Sequence, residues 1–297
     1  MKILRGGDKA NPPFSKRCNT TFWLKNRNYV YKHNQNIMQL NKIKGLQMKT
    51  FSEKFEQNAN LQLRKVTRAI DLYVKNVYIK SKLIRYVSSQ AGFGMMQPLA
   101  LKNFSDVVYS YLEPIIGSDN ISMFTVVVDK YNFGQDNWNF QYKSFQKKIK
   151  KIFKGYDYIA NVALDEFPRI SFQQDGTLMT PHIHGIFFRT LTRWEKSKLT
   201  KAIKKYFPES RIRPFVVRAQ YDLESAIQYS FKALFGGKRT FPRRDLTVGF
   251  KNTDMTYKAI YVNFTHLKRF KIYDLAFAGG KGKEILRNII NDIENGS

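Results

Sequence analysis

Two histidines, His182 and His184, are separated by one residue at the start of an apolar run that extends to Phe188. In a β-strand, alternate side chains point to the same face, so the two imidazoles are expected to lie side by side, about 6.5–7 Å apart. Two neutral imidazoles in this arrangement provide half of a metal site. The chain has only four histidines, which makes the spacing of these two informative. The ordinary alternative is a pair of half-buried histidines on a strand.

A third ligand is expected because two imidazoles alone hold a divalent ion weakly. A predicted strand over residues 158–166 ends in Asp165 and Glu166, and a hairpin would bring this end beside the histidines. By the two-residue period of a strand, Glu166 shares a face with Val162 and Leu164, whereas Asp165 points to the other face. We predict Glu166 as the oxygen ligand, with Asp165 as the alternative if a bulge shifts the register. Such a ligand set suits Mg²⁺ or Mn²⁺ bound to a substrate phosphate and does not exclude Zn²⁺.

A tyrosine and a lysine, Tyr229 and Lys232, lie one turn apart on a predicted helix over residues 223–235. Tyr229 points about 200° away from Ile227 of the apolar stripe, and Lys232 shares its face. The simplest interpretation is an exposed tyrosine beside a solvated lysine. A phenol, with an ordinary pKa near 10, is a poor nucleophile until a metal and an ammonium neutralise the phosphate charge. Together the two motifs predict cleavage of a nucleic-acid strand through a covalent phosphotyrosine.

The order of predicted elements is typical of an α+β fold with a mostly antiparallel central sheet and helices packed on one face. Strands are predicted over residues 123–128, 158–166, 182–188 and 214–220, with a further strand-like run over residues 257–264. Residues 145–153 form an amphipathic helix with a lysine-rich outer face, and Thr192 with Glu195 forms a capping box that begins another helix. Helical patterns also occupy residues 51–89 and 283–293.

We divide the chain into three regions. Residues 1–104 form a basic, partly helical N-terminal region, residues 105–250 the domain that contains both motifs, and residues 251–297 a C-terminal extension. The first 50 residues contain 11 lysines and arginines and a single acid, Asp8.

The charge of the chain predicts its partner. Among 297 residues, 51 Lys+Arg face 23 Asp+Glu, a formal net charge of +28, which favours a polyanion. Abundant Phe and Tyr provide stacking surfaces for unpaired bases, and no run of 18 apolar residues predicts a membrane span, so we expect single-stranded nucleic acid and no membrane. The single cysteine, Cys18, excludes an intrachain disulfide and a cysteine-based zinc site. With no apolar signal segment at the start, the cytoplasm is the expected compartment.

Over roughly residues 120–240, the order and spacing of these motifs resemble the HUH endonuclease superfamily, and within it the rolling-circle replication initiators of small plasmids and single-stranded DNA phages. Residues 123–127 resemble the first strand motif of that family. Residues 181–185 match its metal motif, with Ile183 between the two ligands, and residues 226–232 match its Tyr-x-x-Lys motif.

The resemblance implies that His182 and His184 hold a metal that positions the scissile phosphate. It also implies that Tyr229 becomes linked to the 5′ phosphate while a free 3′ hydroxyl is released, with Lys232 assisting. Ser225 stands where two-tyrosine members carry a second tyrosine, so the chain resembles the single-tyrosine type. The implied partners are origin DNA and a host helicase and polymerase.

Two other functions remain open. A single-tyrosine transposase or a plasmid relaxase would carry the same pair of motifs. A non-catalytic nucleic-acid-binding protein could share the architecture, since RNA-binding modules also place helices on one face of an antiparallel sheet, but the strands here lack the aromatic signature of those modules.

Overall fold

The computed structural model describes residues 53–89, 93–116, 120–134, 137–168, 177–210, 213–220, 222–231, 236–242 and 248–295. They belong to one compact unit, Leu46–Ser297. The predicted basic arm over residues 1–50 and Lys232 lie outside the described residues, and so does part of the loop between Glu166 and His182.

The first described helices are α1 (Glu53–Tyr73), α2 (Val77–Ser88) and α3 (Pro98–Ile116). The helical pattern predicted over residues 51–89 is confirmed from Glu53 to Ser88. It is divided at Asn76, whose side chain caps α2 by accepting a hydrogen bond from the amide of Ile79 at 3.0 Å. Helix α3 was not predicted from the sequence, although it buries Phe104, Val108 and Leu112 at helical spacing. The predicted boundary between residues 104 and 105 lies inside α3.

A mostly antiparallel sheet forms the centre of the fold, as predicted. Its strands are β1 (Ile121–Val127), β2 (Phe133–Gly134), β3 (Tyr158–Pro168), β4 (Thr177–Phe187), β5 (Phe215–Gln220), β6 (Gly236–Pro242), β7 (Val248–Asp254) and β8 (Ala276–Gly279). The order is β5-β1-β4-β3-β6-β7, with β2 paired to β4 and β8 paired to β3. β4 is central because it pairs with both β1 and β3 over most of its length. The contact of β3 with β6 is parallel.

The later helices are α4 (Tyr142–Ile152), α5 (Arg193–Tyr206), α6 (Leu223–Ser230), α7 (Tyr257–Leu267), α8 (Ile272–Leu275) and α9 (Gly282–Asn295). The predictions of α4, of the Thr192–Glu195 capping box of α5 and of α9 are confirmed. The strand-like interpretation of residues 257–264 is wrong, because they form α7. Thr256 caps this helix, and Ile260, Phe264 and Leu267 recur at helical spacing on its buried side.

Helices cover both faces of the sheet, so the expectation of helices on one face is wrong. Phe124 and Thr125 are neighbours on β1 and therefore point to opposite faces. The Phe124 ring packs against Phe153, directly after α4, with centroids 5.1 Å apart. The Thr125 hydroxyl instead contacts His184, whose ring contacts Tyr229 of α6. We call these two sides of the sheet the aromatic face and the histidine face.

Interlocked rings fill the aromatic face. Phe124 contacts Phe153, Phe187 and Phe215, with centroid separations of 4.6 to 6.4 Å. Gly185 makes this packing possible, because a Cβ on Gly185 would meet the Phe124 ring at 2.5 Å. Gly185 follows His184 directly, so the glycine that admits a core ring is adjacent to a residue of the opposite face.

In the part of the chain that the structure describes, no helix is both long enough and apolar enough to cross a lipid bilayer.

Candidate active site

The strand register places the two histidines side by side in the middle of the sheet. On β3, His182 lies opposite Ala163 and His184 lies opposite Asn161. Both imidazoles are buried, with 3% and 2% of their surface exposed. Their ring centroids are 4.4 Å apart and the ring planes meet at 78°. The predicted pairing of the histidines on one face of a strand is therefore present in the fold.

Each imidazole is oriented through its Nδ1 atom. His184 Nδ1 lies 2.9 Å from the Thr125 hydroxyl oxygen, and His182 Nδ1 lies 3.2 Å from the carbonyl oxygen of Thr180. Because a carbonyl only accepts hydrogen bonds, the second contact requires the proton of a neutral His182 on Nδ1. The Nε2 atom of His182 is then the one that offers a lone pair. Such outer hydrogen bonds fix the tautomer and the ring orientation of metal-binding histidines.

Asp165 is the carboxylate that the fold brings to the histidines. It lies opposite Thr180 on the histidine face, and its Oδ2 atom is 3.7 Å from Nε2 of His182. Gly236 makes room for the Asp165 carboxylate, since a Cβ at position 236 would collide with Oδ1. A carboxylate and the lone-pair nitrogen of an imidazole are both acceptors, so this approach favours a shared cation or proton.

Glu166 points to the aromatic face, and its expected place beside the histidines is corrected. It is 95% buried, and its two carboxylate oxygens accept hydrogen bonds from the Thr256 amide at 2.6 Å and the Thr256 hydroxyl at 2.8 Å. Thr256 is the N-cap of α7, so Glu166 satisfies and neutralises the start of that helix. β3 keeps the regular alternation through Asp165 and Glu166, without the bulge that would exchange their positions.

The donor types at this site fit a divalent cation. Two imidazoles and a carboxylate provide the mixed nitrogen and oxygen set that Mg²⁺, Mn²⁺ or Zn²⁺ accepts. Within the described ranges, no three His, Cys, Asp or Glu side chains are close enough to form a finished ligand set. His182, His184 and Asp165 are the candidate ligands because of their donor types and their proximity. The bound metal itself stays a prediction.

Tyr229, 45 residues after His184 in the chain, lies against the histidines. The centroids of the Tyr229 and His184 rings are 4.6 Å apart, with the planes at 69°. Tyr229 is 43% exposed, so a ligand from solvent can reach this side chain. The chain thus places a phenol at the open side of a buried imidazole pair.

Packing of the buried side of α6, and of the residue directly after it, holds Tyr229 in this place. α6 buries Leu223, Ala226 and Ile227. The Phe231 ring, one residue after α6, packs on Phe104 of α3, with centroids 5.4 Å apart. The buried stripe therefore agrees with the prediction, and Tyr229 lies off it.

The start of α6 has no side-chain cap on its backbone amides. Asp222 occupies the N-cap position, but its side chain makes no capping hydrogen bond. Its carboxylate instead accepts a hydrogen bond from the Ser225 hydroxyl. Ser225 is exposed on the first turn.

Two residues of the histidine face were missed by the sequence analysis. Thr125 contacts His184 directly, and Asn161, fully buried, lies opposite His184 on β3. No motif marks either residue, since threonine is common in strands. The only available signal was parity, because both residues alternate with apolar residues that face the aromatic core.

Comparison with models of protein families, with curated proteins and with solved structures found no match for this chain.

Proposed function

We propose that this protein is a metal-dependent, single-tyrosine DNA nickase and strand transferase that initiates rolling-circle replication. The proposal is carried by one observation: the Tyr229 ring lies 4.6 Å from the His184 ring, although 45 residues separate them in the chain. A nucleophile and a candidate metal pair on separate elements need the tertiary fold to meet. The convergence supports a common task for the two motifs.

The candidate ligands would hold a divalent ion at the base of the site. His182, His184 and Asp165 are the donors, and Thr180 and Thr125 keep the imidazoles oriented through their Nδ1 atoms. When bound, a divalent ion withdraws charge from a non-bridging phosphate oxygen and positions the phosphodiester. Burial of both imidazoles limits the number of their rotamers, so the donor positions are largely set before DNA binds.

In the proposed reaction, the Tyr229 oxygen attacks the phosphorus atom of a DNA strand. A bond forms between that oxygen and phosphorus, and the bond from phosphorus to the 3′ oxygen breaks. The phenol gives up its proton and the leaving 3′ oxygen ends as a hydroxyl, so the atoms and the charge balance. The 5′ phosphate stays on Tyr229, and attack by a 3′ hydroxyl reverses the step without loss of the phosphodiester bond energy.

Lys232, the lysine of the Tyr-x-x-Lys motif, is the residue that we propose assists Tyr229. An ammonium three residues after the tyrosine in the chain would stabilise negative charge on the phenolate or on the transition state. The net charge of +28 supports a nucleic-acid substrate. We place the activity in the cytoplasm, where a host helicase and polymerase would extend the released 3′ end.

The decisive experiment measures a covalent adduct. The full chain is incubated with labelled single-stranded origin oligonucleotides and Mn²⁺ or Mg²⁺, and SDS-resistant protein–DNA product is quantified. Tyr229→Phe keeps the ring against His184 and removes the nucleophilic oxygen, so the adduct should fall to background with an unchanged melting temperature. Tyr257→Phe is a matched control, because Tyr257 on α7 is 44% exposed and lies outside the site. An undiminished adduct in Tyr229→Phe refutes the proposal.

The substrate separates this function from its relatives. An initiator nicks plasmid or phage origins, whereas a transposase requires transposon ends and a relaxase requires a transfer origin. If EDTA leaves every activity of the protein unchanged, the metal-dependent reaction is refuted and non-catalytic binding is favoured.

A further inference from the structure

The aromatic face of the sheet carries a second feature on the outer side of its helices. α4 and α5 are adjacent there, since the Phe145 ring of α4 packs on Phe207, directly after α5, with centroids 6.2 Å apart. The solvent side of this helix pair is rich in lysine. We call one group of these side chains the lysine patch: Lys147, Lys148, Lys151, Lys201, Lys204 and Lys205.

Contacts between the two helices make the patch continuous. The ammonium nitrogen of Lys148 lies 5.7 Å from the centroid of the Phe207 ring, and that of Lys151 lies 5.8 Å from the centroid of Tyr206. Tyr206 is the last residue of α5 and directly follows Lys204 and Lys205. Lys148 and Lys151 of α4 therefore lie against the C-terminal end of α5, where Lys204 and Lys205 are also found.

The charge of the patch is not compensated within the described residues. None of its six ammonium groups forms an ion pair there. Lys147 and Lys151 are four residues apart on α4, and Lys201 and Lys205 repeat this spacing on α5, so each pair repels along a helix surface. Binding of a polyanion to this surface would relieve the repulsion and so lower its electrostatic free energy.

The patch cannot contact a phosphate held at the candidate active site. Phe124, which packs on Phe153 at the end of α4, and Thr125, which contacts His184, point to opposite faces of β1. A helix about 10–12 Å in diameter and the sheet itself thus lie between the patch and the histidines. One phosphodiester cannot reach both surfaces.

We propose that the lysine patch is a second nucleic-acid surface that binds the phosphate backbone of duplex DNA. The 14 residues of α5 span about 20 Å, and duplex DNA presents one negative charge per about 1.7 Å of axis. Over that length a duplex therefore presents about 12 charges, enough to face every lysine of the patch. The rings where the two helices meet, Tyr206 and Phe207, lie under lysines, and Lys198 lies over the exposed ring of Trp194 near the start of α5. Charge rather than open stacking platforms therefore dominates this surface, whereas single strands use such platforms. The inference does not require the nicking chemistry of Tyr229.

The test uses the full-length variant Lys147→Glu/Lys201→Glu. Each substitution places a carboxylate four residues before a lysine on the same helix, so the variant should melt at the same temperature as the parent protein or higher. Its affinity for a blunt duplex of about 30 base pairs should fall roughly tenfold in low salt. The slope of log K against log salt should become shallower by about two, close to one per lost phosphate contact.

Lys75→Glu/Lys82→Glu is the matched control, because it changes the net charge equally at exposed lysines of the N-terminal helical segment. We expect less than about a threefold loss of duplex affinity for this control. Equal losses in both variants, or no loss in the patch variant, overturn the proposal. Patch-dependent binding to anionic phospholipid vesicles without duplex binding also overturns it.

The two proposals fail separately. Adduct formation on a short single-stranded oligonucleotide reports on Tyr229 and should be unchanged in the patch variant. If Tyr229→Phe leaves that adduct intact while the patch variant loses duplex binding, the nicking function fails and the duplex surface stands. If the adduct depends on Tyr229 and the patch variant keeps its duplex affinity, only the proposal of a second nucleic-acid surface is refuted.

Discussion

The two faces of the central sheet use the same strands for opposite purposes. The aromatic face joins Phe124, Phe153, Phe187 and Phe215 into one network of rings. The histidine face instead buries polar groups in the middle of the sheet, among them His182, His184 and Asn161. Rings that fill space contribute stability, whereas buried polar groups require partners and cost free energy when these are missing.

The difference shows how a strand can carry a site without losing its core. In β1 and β4, each polar residue of the site alternates with an apolar residue of the opposite face, as Thr125 does with Phe124. Each polar residue of the site thus has an apolar neighbour that stabilises the fold, so the polar side chain can contribute to ligand binding instead. We expect substitutions on the aromatic face to lower stability and substitutions on the histidine face to lower ligand affinity.

The largest predicted effect compares the neighbours Phe124 and Thr125. Phe124→Ala removes a fully buried ring and should lower the free energy of unfolding by about 3–5 kcal/mol. Thr125→Val keeps the shape and removes the hydroxyl beside His184, so it should leave the metal-free melting temperature nearly unchanged and weaken Mn²⁺ affinity about tenfold. Denaturant unfolding and Mn²⁺ titration measure the two effects.

A milder substitution, Phe124→Leu, keeps the comparison measurable if Phe124→Ala unfolds completely. Phe124→Leu should lose less stability than Phe124→Ala and keep the Mn²⁺ affinity of the parent protein. A Thr125→Val variant that unfolds as readily as Phe124→Ala would show that the two faces do not divide stability and binding between them.

The next largest predicted effects concern the adjacent carboxylates Glu166 and Asp165, which point to opposite faces of the sheet. Glu166→Gln weakens the hydrogen bonds to Thr256 at the start of α7 and should cost about 1–3 kcal/mol of stability, without effect on Mn²⁺ affinity. Asp165→Asn should weaken Mn²⁺ binding at least about tenfold and leave the stability of the metal-free protein unchanged. If Glu166→Gln is the variant that loses Mn²⁺, our assignment of Asp165 fails.

The smallest predicted effect concerns the capping box of α5 on the aromatic face. Thr192→Ala should cost about 1 kcal/mol and leave adduct formation unchanged. The hydrogen bond from Arg189, together with hydrogen bonds from the Thr192 amide and hydroxyl, lowers the pKa of Glu195 to about 2 against some opposition from burial. Since this folded-state pKa is depressed, the stabilisation is present above the ordinary value of 4.5 and is lost as the pH falls toward 2.

Circular dichroism along an acid titration measures this local effect. The stability difference between Thr192→Ala and the parent protein should shrink as the pH falls toward about 2, because Glu195 becomes protonated in the folded protein there and then contributes less to the box. A difference that is constant down to pH 2 would contradict the role of the carboxylate.

The sequence predicted the mostly antiparallel sheet, the shared face of His182 and His184, and an exposed Tyr229 beside the buried stripe of its helix. These features depend on local period, so the pattern of a few residues is sufficient. Over residues 257–264 the same kind of local pattern gave a wrong strand prediction. These residues form a helix instead. Thr256 caps its start, and Thr256 also contacts Glu166, 90 residues earlier in the chain.

The amino-acid sequence by itself determined which residues can share a face, because side-chain direction in a strand or helix follows from the backbone repeat. Only the tertiary structure decided which faces meet. It placed Tyr229 against His184, chose Asp165 over Glu166 as the carboxylate near the imidazoles, and covered the other face with α4 and α5. The physical reason is that such contacts depend on strand order, loop path and the packing of distant apolar surfaces, none of which has a short-range signature in the chain.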